Sequence, residues 1–128
     1  MGRHSQLPGA RKLKRGVVAV GILIASVSQS SAQIESGNEI RESCQFAAQG
    51  PKTNLEVAKA TYCQGFVKAI LFVGRRLDEP VRFCAPDGIT VGQAINIFLK
   101  YLNDHPDKTH EAAEDLAITA FWTEWGCK

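Results

Sequence analysis

Beyond residue 32, apolar positions recur at intervals of three and four, and no stretch keeps the strict alternation of a strand. The first such segment, residues 36–48, sets Ile40, Cys44, Ala47 and Ala48 at near-helical spacing, and Gly50-Pro51 stops it. The second is the longest. Asn54 is its expected cap, and Leu55, Ala58, Tyr62, Phe66, Ala69, Ile70 and Val73 fall on one 3.6-residue stripe, which predicts its buried face. Cys63 sits beside that stripe, near the expected core. The stretch "RRLDEPVRFCAPDG" is broken by Pro80, Pro86 and Gly88 and reads as a linker.

Thr90 opens a third helix, and Gln93, three residues on, completes a capping-box pattern. Its predicted buried face is Val91, Ala94, Ile95, Phe98, Leu99 and Leu102. His105-Pro106 ends it, because a residue before proline disfavours helical geometry. Asp107 or Thr109 is expected to cap a fourth helix, with Ala113, Leu116, Ala117, Ala120, Phe121 and Trp125 on its inner face. The pattern predicts an all-α fold, a compact bundle of about four helices whose last two are antiparallel because their connection is short.

The first 32 residues are expected to lie outside that bundle. Five basic residues and no acid precede an 11-residue apolar run, residues 17–27, and small residues follow at Ser30 and Ala32. That is the three-part order of a secretory signal peptide, with cleavage expected after Ala32. The run is too short for a spanning helix, which needs about 20 apolar residues. Without the leader, residues 33–128 carry ten basic against 13 acidic residues, a net charge of −3 instead of the +2 of the whole chain. The basic character therefore belongs to the leader, and no basic stripe with interleaved aromatics remains to suggest nucleic acid. No membrane contact is expected once the leader is gone.

These 96 residues hold four cysteines, Cys44, Cys63, Cys84 and Cys127. An even number in a short exported chain points to disulfides. Zinc binding calls for close pairs such as C-x-x-C, which the chain lacks. Antiparallel packing of the last two helices brings the start of one near the end of the other, so Cys84 is expected to bond Cys127, leaving Cys44 for Cys63. A paired cysteine is no nucleophile, and no G-x-S-x-G or phosphate-cradling glycine loop occurs. No catalytic residue, metal or cofactor is therefore assigned. His105 and His110 are five apart across a proline loop, off the i, i+4 spacing of two ligands on one helix face. Trp122, off the main stripe of the last helix, is a possible surface contact.

The segments "YCQGFVKAI", "FCAPDGITVGQAINIFLKYLNDHP" and "FWTEWGC" together resemble the Rap/Tai-type immunity proteins. The resemblance spans residues 44–127. Ala69 stands where that family often has a glycine, and Gly126 replaces a frequent proline before the last cysteine. The resemblance implies a periplasmic protein that binds and blocks a peptidoglycan amidase effector of type VI secretion, by inserting a protruding loop into its cleft, and that forms a homodimer. On this chain the loop is the stretch "LNDHPDKTH", with Asn103, Asp104, His105, Pro106, Asp107 and Lys108 as the expected effector-binding residues. The alternatives are a small periplasmic stress chaperone, with 13 carboxylates to neutralise in acid, and an envelope-associated binding protein without inhibitory role.

Overall fold

The computed structural model describes residues 33–128, and the expected leader lies outside them. The described chain is an all-α bundle of four helices braced by two disulfides. These are α1 (Gly37–Gln49), α2 (Asn54–Val73), α3 (Val91–Asp104) and α4 (Ala113–Trp125), with a 3-10 turn, Gly74–Arg76, continuing α2.

Three helices start the same way. Ser36, Thr53 and Thr90 take extended backbone conformations, accept the N–H of the third helical residue, and receive the side chain of Glu39, Glu56 or Gln93 in return. Each box satisfies donors that a helix start leaves unpaired. The expected box at Thr90 is present, whereas α2 is capped by Thr53, one residue before the expected Asn54.

The fourth helix departs from expectation. Neither Asp107 nor Thr109 caps it. Ala112 holds the cap position without a side-chain bond, and the Glu35 carbonyl accepts the Ala113 N–H at 2.8 Å. An isolated bridge between Ser36 and Ala112 brings this backbone acceptor into place. Thr109 turns inward, and its hydroxyl donates to the Pro106 carbonyl at 3.1 Å. A tertiary contact does here what a local polar side chain does elsewhere.

Both expected disulfides are formed. Cys44–Cys63 ties α1 to α2 with Cα atoms 5.1 Å apart, and Cys84–Cys127 ties the entry of α3 to the exit of α4 at 5.0 Å. A bridge between Phe83 and Gly126 lies beside the second bond, where the Cys84 N–H donates to the Trp125 carbonyl at 2.7 Å.

The core gathers Ile40, Val67, Phe83, Ile95, Phe98, Leu102, Leu116 and Phe121, all buried. Phe83, Phe98 and Phe121 form its aromatic centre, with ring centroids 5.5 and 6.5 Å apart along that chain of contacts. The expected inner faces of α3 and α4 are inward. That of α2 is not. Its buried residues are Ala60, Cys63, Val67 and Ile70, while Leu55 is 67% exposed and Tyr62 52%. Of the expected stripe only Ile70 is buried; Ala58 and Ala69 are exposed, and Phe66 and Val73 lie between. Cys63, bonded to Cys44 of α1, lies on the face that is buried. Gly74 extends the true inner face: a Cβ there would stand 2.3 Å from the Phe83 ring, so the ring lies against bare backbone.

Candidate binding surface

The connection between α3 and α4 is held by hydrogen bonds within the turn and to α1. His105 closes α3, its N–H bonded to the Tyr101 carbonyl at 3.0 Å. Its ring stacks on Tyr101 with centroids 4.2 Å apart, and Nδ1 lies 2.9 Å from the same carbonyl. A carbonyl only accepts, so Nδ1 is the donor in this contact. The turn then winds on itself: the Lys108 N–H meets the His105 carbonyl at 3.1 Å, and the Glu111 N–H meets that of Lys108 at 2.8 Å.

The far side of this turn is anchored to α1. The Asn38 N–H donates to the Thr109 carbonyl at 2.8 Å and the Gly37 N–H to the Glu111 carbonyl at 3.0 Å. Two otherwise unpaired donors of the α1 start are thereby spent on the connection. Gly37 has no room for a side chain, because a Cβ would lie 2.5 Å from Leu116 and 3.1 Å from the Thr109 carbonyl. From below, Arg41 of α1 donates to the Leu102 carbonyl at 3.0 Å, placing a cation at the negative end of α3.

The six residues expected to bind an effector share this connection but not one environment. Asn103, Asp104, Pro106 and Asp107 are exposed, whereas His105 and Lys108 are partly covered. Asp104 is paired with Lys100 one turn back and holds that ammonium above its ordinary pKa through a direct hydrogen bond. Asp104 and His105 also line a shallow groove of about 140 Å³ with Lys100, Tyr101, Thr123 and Glu124. The groove was not anticipated, because Thr123 and Glu124 join the surface only when α4 packs on α3. Trp122, the other expected contact, is 46% exposed, near the C-terminal end of α4.

Among the described residues no three metal-ligating side chains converge, and no helix is long and apolar enough to cross a membrane. All four cysteines are in disulfides, so none is a thiol nucleophile.

The model of the family described as Rap1a immunity proteins matches residues 36–127. The chain belongs to that family. The match opens on Ser36, the cap of α1, and closes on Cys127, the second half of the last disulfide, so it covers the whole bundle. No curated protein and no solved structure matches the chain. Membership makes it an immunity protein, a binder of an effector protein. It also points to an inhibitor rather than an enzyme, and with the two disulfides it fits an exported protein.

Proposed function

We propose that this immunity protein works in the periplasm, where it binds a peptidoglycan amidase delivered by type VI secretion and blocks its active-site cleft with the connection between α3 and α4. Asn103, Asp104, His105, Pro106, Asp107 and Lys108 form the contact surface, and the flanking groove extends it. The observation that supports this reading most is the anchoring of the turn at Gly37, Asn38 and Arg41. A loop already held in one conformation loses little further entropy when captured, which favours tight binding by a small surface. Asn103 and Asp107 are exposed and in no ion pair of the chain's own, so they can pair with a partner.

The leader directs export in this reading, and both disulfides form in the oxidising compartment it reaches. Co-purification with amidases encoded beside this gene or delivered by neighbouring strains, followed by an assay of wall-peptide cleavage, tests the proposal. Stoichiometric inhibition supports it. Binding to an effector of another chemistry would keep the immunity role and remove the amidase, and absence of binding to any delivered effector would remove the surface as well.

A further inference from the structure

We propose that the shallow groove between α3 and α4 is a specificity pocket that takes an arginine side chain of the effector. The inference rests on the reading that the neighbouring turn is the contact surface, and it names the chemistry that surface selects. The floor of the groove is apolar. Ala120 and Tyr101 are buried, at 2% and 9% exposure, and Ile97 is partly covered. The rim is polar, with Lys100 and Asp104 on α3 and Thr123 and Glu124 on α4.

Unspent hydrogen-bonding capacity selects the occupant. Three donors at the groove are already engaged within the chain. The Thr123 hydroxyl donates to the Thr119 carbonyl at 2.8 Å, His105 Nδ1 to that of Tyr101 at 2.9 Å, and the Lys100 ammonium to Asp104. The acceptors are not used up. Glu124 is exposed and, among the described residues, in no ion pair. Asp104 meets Lys100 with one carboxylate oxygen and keeps the other, and the Thr123 oxygen retains its lone pairs.

Charge points the same way. Two carboxylates share the groove with one ammonium, so what it lacks is a second cation. Glu124 lies within electrostatic reach of that ammonium: behind the hydrogen bond to Asp104 and the charge of Asp104, its own charge also raises the Lys100 pKa. An incoming carboxylate would meet Glu124 with Lys100 already engaged.

Arginine suits both halves of the site. Its aliphatic stem can lie on the apolar floor while its five N–H groups reach the rim acceptors in a planar fork. A lysine ammonium is more strongly hydrated and loses more on entering a half-covered groove. Residues 33–128 carry a net charge of −3, which also draws a basic partner surface toward them before contact.

NMR titration of isotope-labelled protein, expressed from the full sequence, with N-acetyl-arginine methylamide tests the pocket without any effector. Saturable amide shifts are expected at Ile97, Ala120, Thr123 and Glu124. The lysine derivative should bind more weakly, and the citrulline derivative, which keeps the shape and loses the charge, should not bind. Glu124→Gln should weaken binding about tenfold, whereas Lys100→Gln should strengthen it about threefold by returning Asp104 to the groove. Opposite signs at two exposed positions exclude a general loss of fold. With an effector that the wild type blocks, Glu124→Gln should raise the half-inhibiting concentration about tenfold and Lys100→Gln should lower it. Absence of saturable shifts, an equal response to citrulline, or inhibition indifferent to Glu124→Gln would each overturn the pocket. Should the wild type block no delivered amidase, the functional reading falls while the amide titration still decides the pocket.

Discussion

The Arg41 guanidinium donates to the main-chain carbonyl of Leu102, 61 residues away, at 3.0 Å. This bond joins the middle of α1 to the last turn of α3, directly beneath the proposed binding turn. A charged donor to a helix C-terminus contributes about 1–2 kcal/mol. The gain is trimmed because Arg41 Nε is buried without a partner. Arg41→Ala should therefore destabilise the fold by about 1 kcal/mol. Its more telling signature is local: amide exchange should quicken in residues 103–111, while the α1–α2 half stays protected.

Gly74 and Gly92 should respond to alanine with opposite signs. At Gly74 the new methyl would stand 2.3–2.8 Å from three atoms of the Phe83 ring. Phe83 is fully buried at the junction of the linker with α4, its ring tilted against that of Phe121. Displacing it should cost about 1–3 kcal/mol, the usual range for overpacking. Gly92, in the first turn of α3, has only the Thr90 hydroxyl near, at 3.9 Å. Gly92→Ala should raise stability by up to about 1 kcal/mol through helix propensity alone. Paired denaturant melts decide both.

The same contrast explains how far the fold was legible from the sequence. The cap at Thr90, the inner faces of α3 and α4 and both disulfides follow from local pattern and spacing, because each rests on residues a few positions apart or on helix order. The buried face of α2 does not. A stripe at intervals of three and four has the same period on any side of a helix, and α2 is apolar enough on several sides for more than one to be read as the inner face. The buried face is the one that carries Cys63, whose bond to Cys44 is a constraint from outside the helix. The cap of α4 was missed for a related reason, since Glu35 reaches Ala113 only in the folded chain. Of the binding surface, the turn was visible as His105-Pro106, but the groove wall from Thr123 and Glu124 was not.

Removing the two disulfides singly should have unequal effects. In the chain-entropy account, closing a loop of 19 residues contributes about 3 kcal/mol and one of 43 about 4 kcal/mol. The Cys84–Cys127 bond has backbone support from Cys84 to Trp125, and the Phe83–Gly126 bridge beside it. Loss of that bond should accordingly fray the end of α4 before the bundle opens. The Cys44–Cys63 bond is fully buried between α1 and α2, so its replacement by two serines also leaves polar atoms in the core. Thermal melts of the two double-serine variants should show the larger deficit for the Cys44/Cys63 pair, despite its shorter loop.

Two groups give stability a pH dependence of opposite sense. The Ser36 backbone N–H, then its hydroxyl, bind the Glu39 carboxylate and hold its pKa below the usual glutamate value. A depressed acid stabilises above its unfolded pKa, and that contribution disappears as pH falls through the folded value. Tyr62 behaves inversely: its hydrogen bond to Glu35, aided by partial burial and the charges of Glu35 and Glu114, pushes its pKa up to about 12. Its contribution is complete below the ordinary value of 10 and is lost as pH rises toward 12. Glu39→Gln should flatten the acid limb of a plot of thermal midpoint against pH, and Tyr62→Phe the alkaline limb.

The exposed residues of the α3–α4 turn should separate binding from stability. Asp107 is exposed and in no ion pair, so Asp107→Lys should leave stability within about 0.5 kcal/mol of the wild type. Reversing a charge at the centre of an interface costs about 2 kcal/mol or more, roughly thirtyfold in affinity. Pro106→Gly acts differently, because it loosens a turn whose binding advantage is its rigidity, and should slow association as well as weaken it. Trp122→Ala, near the opposite end of α4, serves as the comparison: inhibition should survive it if the turn is the contact. Titration of a cognate effector with the three variants then assigns the surface. Loss of inhibition with Trp122→Ala and none with Asp107→Lys would move the contact to the other end of the helix.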